Sequence, residues 1–252
     1  MNLLPLILVA ASCCVGAAFA GEKPTPGTDV KAQVLELLES GALDDALEKR
    51  IVAVSRKLAK RRVERTKAVA KYVPFGNYQS EHLRGDPNAK FSIIEYSMYG
   101  CPYCAKFHKT AKQAVNSMDN VNWVYRHFPL RGTDAASTQL AYASECIAEL
   151  GGSEAFWLFS DSIYGGSTAL RDHVKYVRSF ALAQGLDYSK LIACQNAAPT
   201  IDKVKRSEQI ARKAKLSTTP SIIVRNNQSG ALRVITTAVE LDGLKKKLRE
   251  IQ

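Results

Sequence analysis

Acidic side chains are in short supply in this chain. Its 252 residues carry 24 Asp and Glu against 35 Lys and Arg, for a net charge of +11 at pH 7. The first twenty residues have no charged side chain at all, so the whole excess lies in residues 21–252. Beyond that opening no apolar run is long enough to cross a bilayer, which excludes a bundle of membrane helices. The chain also lacks internal repeats and low-complexity tracts, which excludes a solenoid or a tandem array. Cysteine is sparse, at six residues. There is one C-x-x-C, and neither a second such pair nor an H-x-x-x-H spacing, so a zinc finger or ribbon lacks half its ligands. With 46% hydrophobic and 23% charged residues, the composition is that of a globular protein with room for one large domain or two small ones.

The uncharged opening, Met1 to Ala20, is apolar and ends in Ala18-Phe19-Ala20 before Gly21. That small-x-small pattern predicts a signal peptide over residues 1–20 and an exported product. Lipoprotein anchoring at Cys13 fits less well, because Ala10 stands where such signals carry leucine. Removing the leader takes Cys13 and Cys14 with it and leaves Cys101, Cys104, Cys146 and Cys194. An even set in an oxidising compartment favours disulfides.

Residues 21–28 hold two prolines and two glycines and read as a flexible start. From 29 to 72 the apolar spacing is helical: Leu43, Leu47, Ile51, Val54 and Leu58 recur at three- and four-residue steps. This segment is expected to be an N-terminal helical arm, with a linker over 73–87. Within it, Lys49 to Lys71 holds ten Lys or Arg and one acid, Glu64. Such a run could bind phosphates by counter-ion release, but no aromatic residue interrupts it and an exported chain seldom meets nucleic acid. A solvated helix face is the expected reading, and no nucleic-acid partner is expected.

The main domain, 88–252, opens on the β-rich run Lys90 to Ser97, followed by a helix from Cys101 and a second strand, Val121 to Phe128. Helical periodicity then fills about 134–215. Strand character resumes at Ser221-Ile222-Ile223-Val224, a second strand spans Ala231 to Thr236, and a helix closes the chain from Val239. Strand, helix, strand, helical insertion, two strands and a helix describe an α/β class, a thioredoxin fold with an inserted helical subdomain.

The chemistry centres on Cys101-Pro102-Tyr103-Cys104, set after a strand and at the start of a helix. Unpaired N–H groups and the helix dipole at that position stabilise a thiolate, the species that attacks disulfides. Cys101 is the candidate nucleophile and Cys104 the resolving cysteine one turn on. Pro102 suits the first helical turn, where its missing N–H is not needed. Glu95 interrupts an apolar strand six residues before Cys101 and is a candidate proton relay, or a charge at an exposed strand end. Thr219-Pro220 precedes a strand, where a proline cannot serve the ladder; a cis bond there would set Thr219 beside the cysteines and in front of an incoming peptide. His108 and His127 read as packing or hydrogen-bonding histidines. Cys146 and Cys194 both fall in the helical insertion. A structural disulfide between them would close a loop of about 49 residues and contribute ~4 kcal/mol; a second redox pair or two free thiols are the alternatives. No metal or cofactor is expected.

The stretch His82 to Lys90, with Ile93-Ile94-Glu95-Tyr96, Cys101-Pro102-Tyr103-Cys104 and Phe107-His108, resembles DsbA-like thiol-disulfide oxidoreductases of the bacterial envelope. So do Tyr125 to Leu130, Ala155-Phe156-Trp157 and Thr219-Pro220. The resemblance implies a periplasmic location, Cys101 as attacking cysteine, Cys104 as its partner, and Thr219-Pro220 as a cis-proline loop facing substrate beside Pro102 and Tyr103. The arm at 29–72 is similar to the N-terminal extensions of suppressor-of-copper-sensitivity C proteins, in which such helices assemble oligomers. The function expected is therefore an exported, oligomeric disulfide isomerase acting on cysteine-containing envelope proteins and served by a membrane redox partner, reductase or oxidase. A monomeric dithiol oxidase and a non-enzymatic assembly factor docking through the basic arm are the rival readings.

Overall fold

The computed structural model describes residues 30–76, 78, 81–130, 135–166 and 170–252. The expected leader, Cys13 and the flexible start at 21–28 lie outside the described residues. The chain divides into two compact units, residues 1–61 and 62–252.

The described part of the first unit is helical. Helix α1 (Val30–Glu39) is joined to α2 (Ala42–Tyr72) by a tight turn. Gly41 supplies the positive φ of +71° that the turn needs, and the Ser40 hydroxyl binds the Leu37 carbonyl while accepting from the Ala42 N–H. Leu35, Leu38, Leu47, Ile51, Val54 and Leu58 are all exposed.

The second unit begins with the last turns of α2, where Ala68 and Val69 are buried. It continues through β1 (His82–Arg84), β2 (Phe91–Ser97), α3 (Pro102–Ser117) and β3 (Val121–His127). The helices α4 (Ala135–Tyr164), α5 (His173–Ala183), α6 (Tyr188–Gln195) and α7 (Ala198–Lys213) follow. Then come β4 (Ser221–Asn226), β5 (Leu232–Ile235) and α8 (Leu241–Arg249). The sheet order is β1-β3-β2-β4-β5. Strand β2 runs parallel to β3, and the other three pairings are antiparallel. This is a thioredoxin fold carrying a helical insertion, α4 to α7, between β3 and β4.

Strands β2 and β3 are buried along their whole length, so the period-2 alternation sorts their side chains between two cores. One face sends Ile94, Tyr96, Val124 and Ile223 against Val69, Val73, Ala211 and Leu216. The other sends Phe91, Ile93, Trp123, Tyr125 and Ile222 against α3, α4 and α8. Glu95 and Ser97 fall on this second face, in register with Tyr125 and His127. Cys101 and Cys104 pack in the same core.

The stretch 73–87 departs from the linker expected there. Val73 and Tyr78 are buried in the core, and β1 pairs His82, Leu83 and Arg84 with β3. Three residues are too few to show a period in a sequence. The segment is pinned by Arg126, whose guanidinium binds both Glu81 oxygens at 2.5 and 2.7 Å, the Pro74 carbonyl and the Tyr96 hydroxyl. The arm differs as well: its last turns, through Tyr72, belong to the main unit rather than to a separate element.

Candidate active site

The chain leaves β2 through Gly100, whose φ of +85° turns it into α3. A Cβ there would come within 2.8 Å of Leu170, so the turn fits only glycine. Cys101 then sits at the N-cap of α3 in an extended conformation, Pro102 occupies the first turn, and the Cys104 N–H points at Cys101 Sγ over 3.3 Å. Here the cap is a sulfur, and its partner is an orphan donor of the helix. The Thr219–Pro220 bond is cis. It brings the Thr219 carbonyl to 3.4 Å from Cys101 Sγ, which donates to it as a thiol. Tyr103 is 63% exposed, while Cys101 is 8% and Cys104 0% exposed. An incoming sulfur therefore meets Cys101 first.

The electrostatics separate the two thiols. The Cys104 thiol, hydrogen-bonding to Cys101, is the main influence that lowers the Cys101 pKa to about 6, with help from the Thr219 side chain and the α3 N–H groups and against burial. Burial, the neighbouring Cys101 and the charge of Glu95 push Cys104 far above the ordinary thiol range. One cysteine is a thiolate at neutral pH and the other holds its proton.

Glu95 is fully buried, and burial raises its pKa from 4.5 to about 8. The Trp123 indole N–H donates to its Oε2 at 3.1 Å and opposes that shift. Its Oε1 makes no hydrogen bond to the described residues. Of the two readings offered by the sequence, a strand-end charge does not fit a carboxylate at 0% exposure. Ser97, two residues on, bonds the Tyr164 hydroxyl at 3.1 Å, which in turn bonds Tyr125 at 2.8 Å.

Sequence reasoning passed over Trp123, Ser97, Tyr164 and Asp161. Asp161 receives two bonds from Arg84, at 3.1 and 3.0 Å, and lies 2.7 Å from both His108 and Lys112. His108 thus anchors α3 to α4, and burial lowers its pKa below the usual imidazole value. His127 lies with His82 and Glu145 at the β1 side of the sheet. Burial holds its imidazole down to about 3, so it is neutral. Cys146 and Cys194 form a disulfide between α4 and α6.

The thioredoxin family's sequence profile matches residues 77–244, which is most of the chain. The chain belongs to the thioredoxin family. Within it the chain is DsbA-like: DsbA2 of Pseudomonas aeruginosa is 26% identical, covers 68% of this chain and 93% of its own, and superposes with a TM-score of 0.57. BcfH of Salmonella enterica Typhimurium, at 17% identity, shares the fold over 99% of both chains with a TM-score of 0.68. Among curated sequences, a Na(+)/H(+) antiporter NhaA 1 of Mycobacterium sp. (strain KMS) is 28% identical over 157 residues. That match takes in 60% of this chain but 24% of the antiporter, so this DsbA-like chain spans about a quarter of the length of the curated relatives it matches. No helix among its described residues is long and apolar enough to cross a membrane.

Proposed function

We propose that this protein is an exported thiol-disulfide oxidoreductase that works on cysteine pairs of other envelope proteins, and that as an oligomer it isomerises wrong disulfides. The observation that carries the reading is the placement of Cys101 Sγ, held at a helix N-terminus and 3.4 Å from the carbonyl that precedes a cis-proline. A peptide laid along Thr219 would meet the thiolate end-on, with Pro102 and Tyr103 forming the opposite wall.

In isomerisation the Cys101 thiolate attacks one sulfur of a client disulfide. A Cys101–client S–S bond forms, the client S–S bond breaks, and the released client thiolate is protonated by water. A different client thiolate then displaces Cys101, giving a rearranged disulfide with no net electron transfer. If Cys104 attacks first, the client leaves as a dithiol and Cys101–Cys104 closes. The two electrons spent must be returned by a membrane reductase. Cys104 reacts only once deprotonated, and Glu95, poised near pH 8 and electrostatically coupled to both cysteines, is the base for that step.

Oligomerisation rests on Leu47, Ile51, Val54 and Leu58, four apolar residues spaced four, three and four apart and all exposed in the single chain. That is the seam of a coiled coil, and a second copy of the chain is the partner whose seam matches it. A monomeric oxidase is the second reading, favoured by the lowered Cys101 pKa, because a stable thiolate makes the disulfide form a strong oxidant. The deciding experiment pairs the mass in solution with reactivation of scrambled ribonuclease. An oligomer that reactivates the enzyme, and loses the ability with Cys101→Ser, supports the isomerase. A monomer that only oxidises dithiols supports the second reading. Activity unchanged by Cys101→Ser would reject both and leave a non-enzymatic assembly role.

A further inference from the structure

Away from the cysteines, β1, β3 and α4 bring two imidazoles and a carboxylate to one point. His82 Nε2 lies 3.0 Å from Glu145 Oε2, and His127 Nε2 lies 3.4 Å from Glu145 Oε1. The three ligand atoms lie within 4.8 Å of one another, and all three residues are buried, at 7%, 2% and 7% exposure for His82, His127 and Glu145. Neither His82 Nε2 nor Glu145 Oε2 forms a geometrically sound hydrogen bond, although they face each other.

We propose that His82, His127 and Glu145 form a binding site for a divalent transition metal, zinc above all. The separations suit an ion of this size. Zinc bonded at about 2.0–2.2 Å to tetrahedrally disposed N and O donors sets neighbouring donors about 3.3–3.5 Å apart; His82 Nε2 and His127 Nε2 lie 3.0 and 3.4 Å from the Oε2 and Oε1 atoms of Glu145, and one donor atom from each residue falls within 4.8 Å of the others. Two imidazoles and one carboxylate suit zinc rather than magnesium or calcium, which take oxygen donors.

The surroundings hold these donors in place. His82 is stacked on Phe156, with centroids 3.5 Å apart and planes 5° apart. The Ser144 hydroxyl sits 3.1 Å from His127 Nε2 and also bonds the Ala141 carbonyl, so it can turn away from the ring without losing its partner. The site opens on a cavity of about 380 Å³ lined by Glu149, Thr200 and Lys203, which leaves the fourth coordination position to water or a small ligand. Lys203 Nζ lies 2.5 Å from Glu145 Oε2, and its side chain is half exposed. It is the cation now balancing the carboxylate, and a long flexible stem lets it swing out when a metal takes its place. This departs from the expectation, drawn from sequence, that the chain holds no metal.

The test is titration of the untagged protein with zinc chloride against a chromophoric chelator, with Cys101 and Cys104 fully oxidised so that no thiolate competes. One equivalent of zinc should bind, and X-ray absorption should find nitrogen and oxygen around it with no sulfur. His82→Phe keeps the stack on Phe156 and should weaken binding by about tenfold or more, the scale expected for a lost metal partner. Lys203→Met removes a half-exposed cation and should tighten binding by about threefold or more once that competitor for Glu145 is gone. No stoichiometric zinc on the oxidised wild-type protein, sulfur in the coordination shell, or an affinity unmoved by both substitutions would overturn the proposal. Because the cysteine pair is closed throughout, the result is independent of the disulfide chemistry of Cys101 and Cys104.

Discussion

The indole N–H of Trp123 donates to Glu95 Oε2 over 3.1 Å inside the sheet's chemical face. Trp123 is itself gripped from the other side. Its ring lies 4.5 Å from Trp157, 4.7 Å from His108 and 5.7 Å from the Arg84 guanidinium. Arg84 and His108 are both tied to Asp161 on α4. The carboxylate facing the cysteines is thus oriented by a chain of contacts that starts at Asp161 on the inserted helix α4. The insertion is part of the site's scaffold, not only a cover for it.

Replacing Trp123 with Phe removes that donor while keeping an aromatic ring among its neighbours. The hydrogen bond favours the ionised carboxylate, so its loss should move the Glu95 pKa above 8. A carboxyl carbon NMR titration reads this directly. A midpoint that stays put or falls would show that the bond does not hold the charged form.

Glu95→Gln should stabilise the protein, with a pH signature. The folded-state pKa, about 8, lies above the unfolded value of 4.5, so the folded state holds a proton that the unfolded chain has lost. The wild type therefore loses stability as pH rises from about 4.5 to about 8, and is level above that. The Gln variant lacks this loss, so its advantage should grow across that window to a few kcal/mol. Denaturant melts at several pH values measure it. An advantage that is constant with pH would mean that Glu95 does not titrate in this way. Resolution of mixed disulfides should be slower in the same variant.

Alkylation of reduced protein should report a thiolate at Cys101 with a midpoint near pH 6. The Cys104 thiol is the largest influence lowering it, so Cys104→Ala should raise the midpoint more than Cys104→Ser, whose hydroxyl still donates. Equal midpoints in the wild type and the Ala variant would shift the credit to the helix N-terminus.

Local signals make much of the site legible from sequence. Cys101, Cys104 and Pro102 are read from four consecutive residues, the X-Pro at 219–220 from its place before a strand, and Glu95 from being a charge in an apolar run. What stays hidden is joined across the chain. Trp123 meets Glu95 over 28 positions and Arg84 meets Asp161 over 77, and no period or motif links such pairs. The convergence of His82, His127 and Glu145 is hidden for the same reason. None of the three stands in a motif, and only the pairing of β1 with β3, with Glu145 supplied by α4, brings them together. The short β1 itself escapes because three residues show no alternation.

The Cys146–Cys194 bond spans a separation of 48 residues in the helical insertion. Opening it by Cys146→Ser with Cys194→Ser returns that loop's entropy to the unfolded chain and should cost ~4 kcal/mol, measured by chemical denaturation. The rate at which Cys101 exchanges with a small disulfide should not change. A parallel fall in that rate would instead mark the pair as part of the redox cycle.

The arm offers the clearest separation of assembly from chemistry. Ile51→Lys with Leu58→Lys places two charges in the exposed seam, within the first unit, whereas Cys101 belongs to the second. Helix α2 keeps its propensity, since lysine is a good helix former, but a coiled-coil seam does not tolerate adjacent buried charges. The variant should be a monomer by light scattering, keep its rate of dithiol oxidation within about twofold, the range of a neutral surface change, and lose ribonuclease reactivation. The contrast has a chemical basis: one Cys101 can make a disulfide by itself, whereas reshuffling needs the client to be held while its other thiols search. If the variant keeps the wild-type mass, Leu47, Ile51, Val54 and Leu58 do not form the assembly seam. If it turns monomeric and still reactivates ribonuclease, isomerisation belongs to the single chain.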